Sequence, residues 1–237
     1  MRPRIAIAVP HSGDPEYAGR SLPQYAHAVE LAGGDPVTIP LDKTPAEVMK
    51  LIEHCDAVLL PGSRADIDPA KYDTPRDLRT NASDSPRDTV DELLLQDAYN
   101  MKKPILGICY GMQSLNVYRT GTLIQHIESV INHQAGRTVN VAHSVEVEPA
   151  SKLGEILGRP QILPVNSSHH QSAKVVGDGL RIVARCPEDG IVEAVEGTSP
   201  DHFVLAVQWH PERGVDDDKP SQAIFQALVQ AAQSRQK

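Results

Sequence analysis

Short apolar runs alternate with helix-like stretches through the first half of the chain. Ile5–Val9 is a short continuous apolar run, and with Arg4 before it residues 4–9 (RIAIAV) predict a buried strand. Residues 22–32 repeat apolar positions at helical spacing, and Gly33-Gly34 supplies a stop signal. A short strand is expected over 37–39. Thr44-Pro45-Ala46-Glu47 has the form of a capping box with proline at the first helical position, so a helix should run to about His54. Ala57–Leu60 reads as a third strand and Ile105–Ile108 as a fourth. Between them lie a long polar segment, 63–84, and a helix opened by Ser85-Pro86 and running to about Met101. A structureless segment of that length inside a compact domain is usually functional or disordered. The β-α-β-α-β order implies a parallel, doubly wound sheet with right-handed crossovers.

The second half has a different pattern. Residues 138–148 alternate, with Val139, Val141, Val145 and Val147 on one phase, which predicts a half-buried antiparallel strand. Further strands are expected over 180–184, 190–195 and 203–207, and an amphipathic helix over 220–235. No internal repeat and no composition break marks a linker, so residues 1–237 are expected to form a single domain. Aromatic residues are scarce at 4%, which leaves the packing to aliphatic side chains. A net charge of −8 argues against a general nucleic-acid binder and against attraction to an anionic membrane surface. The three cysteines, Cys55, Cys109 and Cys186, are odd in number and match no zinc spacing. A reducing compartment fits better than a disulfide framework, and no apolar stretch approaches the roughly 20 residues of a membrane span, so the cytoplasm is expected.

The chemistry concentrates in two places. Gly107-Ile108-Cys109-Tyr110-Gly111 has the form G-x-C-x-G, a cysteine version of the turn that sets a nucleophile between a buried strand and a helix. Cys109 would head the helix Tyr110–Tyr118, where backbone N–H groups and the helix dipole favour a thiolate. The Tyr110 N–H would face an oxyanion forming beside the sulfur. Far downstream stands His210-Pro211-Glu212. Proline keeps the residue before it extended, and residues i and i+2 of an extended segment share a side, roughly 6.6 Å apart. Glu212 can then hold one imidazole nitrogen of His210 and leave the other for Cys109. Cys55, after a helix, and Cys186, at a strand-to-turn transition, read as structural.

Together these motifs resemble the class I glutamine amidotransferases. The segments Leu60–Pro69, Gly121–Gln125, Val165–Gln171 and Asp189–Glu196 are similar to one branch, the γ-glutamyl hydrolases of peptidase family C26, like γ-glutamyl-γ-aminobutyrate hydrolase. The resemblance implies a flavodoxin-like α/β fold with additional antiparallel strands. It also implies a cysteine hydrolase acting on small-molecule γ-glutamyl amides through a thioester, with Cys109, His210 and Glu212 as its triad and no metal or organic cofactor. The family's Pro-Gly-Gly turn is Pro61-Gly62-Ser63 here, which puts Ser63 in the second oxyanion position. Tyr110 and His126 stand where relatives commonly carry arginine and aspartate.

Other residues admit more than one role. Gln113 is a candidate substrate contact or a helix-surface residue. Ser167, Ser168, His169 and His170 form a polar knot suited either to a substrate carboxylate or to a structural hydrogen-bond network. No Cys or acidic residue lies at ligand spacing from the paired histidines, which counts against a metal. Asp66 and Asp68 suit turn capping better than an amine site. An amidotransferase glutaminase subunit serving a separate synthase, and a non-catalytic binding protein, are the competing functions. The leaving amine and the oligomeric state, a homodimer included, stay open.

Overall fold

A computed structural model describes residues 1–235. In chain order its elements are β1 (Arg4–Ala8), α1 (Pro15–Leu31), β2 (Asp35–Ile39), α2 (Pro45–Ile52), β3 (Ala57–Leu60), α3 (Ser85–Met101), β4 (Ile105–Ile108) and α4 (Tyr110–Tyr118). Then follow β5 (Thr122–Ile124), β6 (His143–Val147), α5 (Lys152–Ile156), β7 (Ile162–Val165), β8 (Ser172–Val175), β9 (Leu180–Arg185), β10 (Val192–Gly197), β11 (Val204–Val207) and α6 (Lys219–Arg235).

Nine strands form one sheet in the order β2-β1-β3-β4-β11-β10-β9-β6-β7. The first five are mutually parallel. The sheet continues antiparallel from β11 through β10, β9, β6 and β7. The parallel strands are apolar throughout because helices cover both faces. Along β1 the side chains alternate between two cores. Ile5 and Ile7 pack with Tyr25, Ala28 and Val29 of α1 and with Ile224, Phe225 and Leu228 of α6. Ala6 and Ala8 pack with Val48 and Ile52 of α2, Leu94 and Leu95 of α3, and Met112 and Leu115 of α4. Removing one such leucine down to alanine costs about 2–5 kcal/mol. Among the described residues no helix is long and apolar enough to cross a membrane.

The capping box is present: Thr44 accepts from the Glu47 N–H, and the Glu47 carboxylate accepts from the Thr44 N–H. Two expectations need correction. The first helix starts at Pro15 rather than near residue 22, because Asp14 accepts the Tyr17 N–H and caps it there; it then runs through Pro23. The strand expected over 138–148 is only His143–Val147. Val139 and Val141 continue the alternation but have no strand partner, and Val141 is exposed. The polar segment 63–84 has one 3-10 turn, Pro69–Tyr72, capped by the Asp68 carboxylate. Side chains pin the remainder: Asp66 accepts the Asn81 N–H at 2.6 Å, and Gln125 Oε1 accepts from the Asp77 N–H and the Thr80 hydroxyl, each at 2.8 Å.

Candidate active site

Three adjacent parallel strands, β3, β4 and β11, end at one edge of the sheet, where ligands bind in open α/β folds. Each delivers part of the site. After β4 the chain turns abruptly into α4. Cys109 takes φ +54° and ψ −106°, a backbone conformation that L-residues rarely adopt and that stores about 1–3 kcal/mol. Surrounding bonds hold it there. Its N–H donates to the Val207 carbonyl at 2.8 Å, and its carbonyl accepts from the Met112 and Gln113 N–H groups. The flanking glycines are steric requirements. A Cβ on Gly107 would stand 2.8 Å from the Gly111 carbonyl oxygen, and one on Gly111 would stand 2.1 Å from the Leu60 carbonyl oxygen. The G-x-C-x-G pattern is therefore what this strand, turn and helix need in order to pack.

His210 follows β11. Its N–H donates to Asn166 Oδ1 at 2.9 Å and its carbonyl accepts from Asn166 Nδ2 at 2.8 Å. Its Nδ1 lies 2.8 Å from Glu212 Oε1, the pairing expected from the motif. The route differs from the expectation. Pro211–Arg213 is a 3-10 turn, not an extended segment, and the turn folds the carboxylate back onto the ring. A carboxylate acceptor on Nδ1 makes that nitrogen the donor and leaves the Nε2 lone pair facing away from it. Gly62, just past β3, marks where the side chains meet. A Cβ built on it would lie 2.8 Å from His210 Cε1 and 3.6 Å from Cys109 Cβ. The Cys109 Cβ and the His210 ring flank that one point, and both residues line the same cavity of about 280 Å³.

Both groups are buried, and burial sets their protonation. It pushes the Cys109 thiol up to about 12, against opposing help from Arg213 and the Tyr110 N–H, and with a further push from Glu212 and Glu193. The helix-dipole argument for a standing thiolate is thus outweighed by desolvation. Burial also lowers the His210 imidazole, more than Glu212 raises it. The pair rests as neutral thiol and neutral imidazole. Burial works to raise the Glu212 carboxyl, but the adjacent His210 outweighs it and keeps the group below its usual range.

The two residues expected at an oxyanion position have different supports. The Tyr110 N–H acts to lower the Cys109 thiol, against the larger effect of burial. The Tyr110 side chain lies under the Arg87 guanidinium and its hydroxyl donates to Asp88. Arg87 is fully buried. It pairs with Asp91 at 2.8 Å and donates to the carbonyls of Pro10 and Pro61, so it braces the elbow and the β3 turn together. Ser63 lines the cavity with φ in the ordinary negative range, so its side chain brings no backbone strain there. The preceding Gly62 N–H donates to the Tyr25 hydroxyl at 3.0 Å.

Gln113 is buried rather than on the helix surface. It lines the cavity, and its amide donates to the Gln171 carbonyl at 3.1 Å. His169 and His170 also line the cavity. His170 Nε2 lies 3.0 Å from Asp66. Ser167 does not line the cavity: its hydroxyl donates to the His133 carbonyl at 2.7 Å, a structural bond. Ser168 lines it instead and accepts from Arg213 at 2.7 Å. Arg137 and Arg213 face the cavity too, along with Tyr17 and Arg64. No local spacing points to them, because they come from elements far apart in the chain. His169 meets three more residues that no local pattern groups, His133, His143 and Glu193. Cys55 and Cys186 are buried away from the cavity, and all three thiols are free.

The Peptidase C26 family model matches residues 8–212. A putative glutamine amidotransferase-like protein of Rickettsia prowazekii is 34% identical over 260 residues, covering 92% of this chain and 90% of its own. The gamma-glutamyl-gamma-aminobutyrate hydrolase of Escherichia coli O157:H7 is 33% identical over 220 residues, covering 89% and 85%. Among solved structures, the glutaminase domain of Trypanosoma brucei CTPS superposes with a TM-score of 0.64 at 18% identity, covering 98% of this chain and 94% of its own. A putative GMP synthase component of Thermoplasma acidophilum superposes with a TM-score of 0.70 at 16% identity, covering 100% and 96%. These two likenesses show a shared α/β fold. By its match over most of its length, the chain belongs to the Peptidase C26 family of hydrolases.

Proposed function

We propose that this chain hydrolyses γ-glutamyl amide bonds of small molecules, with Cys109 as nucleophile, His210 as general base and acid, and Glu212 as the group that orients and charges His210. The observation that carries this reading is the convergence of Cys109 and His210 on the point beside Gly62, with Glu212 2.8 Å from the far imidazole nitrogen.

The reaction starts from the neutral pair. The Cys109 proton passes to His210 Nε2 as the sulfur bonds to the γ-carbonyl carbon, and Glu212 stabilises the imidazolium that forms. Negative charge on the carbonyl oxygen is met by the N–H groups of Tyr110 and Ser63. The carbon–nitrogen bond then breaks, and His210 gives its proton to the departing amine. Water next donates a proton to Nε2 while its oxygen attacks the γ-glutamyl thioester. The sulfur leaves, takes the proton back, and glutamate is released. The α-carboxylate of the glutamyl group is matched by the cationic side chains of Arg137 and Arg213 at the cavity wall, and Gln113 offers an amide beside them.

The test is an assay of purified protein against glutamine and a panel of γ-glutamyl amines. Release of free amine without any added protein is the expected result, abolished in Cys109→Ala with folding preserved. Glutamine turnover that appears only after addition of cell extract would instead assign a role as the glutaminase half of an amidotransferase. Activity of Cys109→Ala within tenfold of wild type would remove the nucleophile.

A further inference from the structure

Beside the cavity, four buried side chains point polar atoms at one another without a hydrogen bond among them. They are His133, before β6; His143, which opens β6; His169, in the loop after β7; and Glu193, on β10. Their exposures are 3%, 8%, 4% and 0%. His133 Nδ1, His143 Nε2, His169 Nε2 and both Glu193 oxygens are buried without any hydrogen-bond partner. One ligand atom from each of the four residues forms a set within 4.8 Å of one another.

The outer nitrogens fix what the inner ones carry. His133 Nε2 lies 2.8 Å from Asp189, His143 Nδ1 3.1 Å from the Ser144 carbonyl, and His169 Nδ1 3.0 Å from the Gln171 carbonyl. Every one of these partners accepts and cannot donate. Each outer nitrogen therefore holds the ring proton, and each inner nitrogen presents a lone pair. Three lone pairs then face a carboxylate in a buried space, which is unfavourable unless something positive lies between them. A proton on His133 Nδ1 could serve Glu193, but His143 and His169 would still turn lone pairs toward it. Outer ring nitrogens donating to carboxylate and carbonyl oxygens are the arrangement that aims histidines at a metal.

The three distances to Glu193 fit as well. Glu193 Oε1 lies 3.3 Å from His133 Nδ1, 3.6 Å from His143 Nε2 and 3.5 Å from His169 Nε2. These are too long for good hydrogen bonds. Ligands at roughly 2.0–2.2 Å from a tetrahedral ion stand roughly 3.3–3.6 Å apart. We propose that His133, His143, His169 and Glu193 bind one divalent transition-metal ion, with zinc as its first candidate. Three imidazoles and one carboxylate suit zinc; calcium and magnesium prefer oxygen ligands. Four protein ligands fill a tetrahedral shell, so the ion is structural and leaves no open position for water. It ties four separated segments together. His133 additionally accepts from the His169 N–H and the Ser167 hydroxyl through its carbonyl, so the ion steadies the loop that lines the cavity. It would also balance the Glu193 charge, which acts against ionisation of Cys109.

The proposal is tested on protein carrying no polyhistidine tag. Metal is removed with a chelator, and zinc is titrated back against a chromophoric competitor, in wild type, Cys109→Ala and Glu193→Gln. The expected result is one zinc per chain in wild type and in Cys109→Ala. Glu193→Gln should bind more weakly by more than the roughly 10–100-fold that loss of a supporting partner costs. Cobalt loading of wild type gives a readout that needs no variant: tetrahedral visible bands with no thiolate charge-transfer absorption. Wild-type protein that is folded but takes up no stoichiometric zinc would overturn the proposal. So would zinc binding that is lost in Cys109→Ala, or a cobalt spectrum with a thiolate band. None of these readouts depends on turnover of any substrate.

Discussion

Gly62→Ala tests the site geometry through a single methyl group. No unusual φ requires glycine at this position, so alanine brings no backbone strain of its own. Its Cβ would lie 2.8 Å from His210 Cε1 and 3.0 Å from the Tyr25 hydroxyl. Favourable carbon–carbon contact begins near 3.5 Å, so the imidazole must retreat by about 0.7 Å. It cannot do so freely, because Glu212 holds its ring and Asn166 holds its backbone on both sides. Overpacking of this kind costs about 1–3 kcal/mol of stability. Misplacement approaching 1 Å in a reacting group costs up to about 100-fold in rate. We therefore expect kcat/KM for a chromogenic γ-glutamyl anilide to fall about 10–100-fold, with the variant folded and Cys109 still alkylated by iodoacetamide. Gly19→Ala is the matched control: nothing lies within 4 Å of its Cβ, so activity should stay at the wild-type level and stability should rise by about 0.5–1 kcal/mol. A Gly62→Ala enzyme within threefold of wild type would refute the placement of His210 against Cys109 at this point.

Other perturbations test other parts. Glu212→Gln removes the charge behind His210 and can donate to Nδ1, forcing the wrong tautomer; kcat should fall by up to about 10⁴-fold, read by stopped or continuous assay. Arg87→Met strands the buried Asp91 carboxylate and should cost about 3–5 kcal/mol in urea unfolding, while Arg87→Met/Asp91→Leu should recover the part due to the stranded charge and keep the cost of the Pro10 and Pro61 carbonyls left without their donor. The pH dependence of stability has a definite sign. His210 is held below its usual 6.5, so the unfolded chain takes up its proton first and stability falls as pH drops below about 6.5. Glu212 is also held low, so its contribution is present above its usual value and is lost in stronger acid. Thermal melts of wild type should therefore fall more steeply between pH 6.5 and 5 than those of His210→Gln.

What can be read in the sequence follows from the range of the interactions. β1, β3, β4 and β11 are legible because strands covered on both faces are apolar runs. The elbow is legible because its two glycines flank Cys109 at fixed spacing, although Gly111 answers to the distant Leu60 carbonyl, and the His210–Glu212 pair because its members are two residues apart. The capping box at Thr44 is local too. Where longer-range packing decides, the pattern misleads. Pro23 and Gly19 break up the helical pattern of α1, although the helix extends past both from its Asp14 cap. Val139 and Val141 alternate like a strand with no neighbour to pair them. Ser167 and Ser168 cannot be told apart by position, yet one bonds the His133 carbonyl and the other faces the cavity. Paired histidines with no local acid count against a metal in the sequence, while the fold brings Glu193 from β10 and His133 and His143 from distant segments.

The proposed chemistry turns on a γ-glutamyl thioester at Cys109. Mixing enzyme with a γ-glutamyl amide, quenching in acid within one turnover, and mapping the peptides by mass spectrometry looks for that species itself. The expected result is a mass gain of one γ-glutamyl group on the peptide holding Cys109, with Cys55 and Cys186 unmodified. Amine release that persists in Cys109→Ser at the wild-type rate, with no adduct on Cys109, would contradict it.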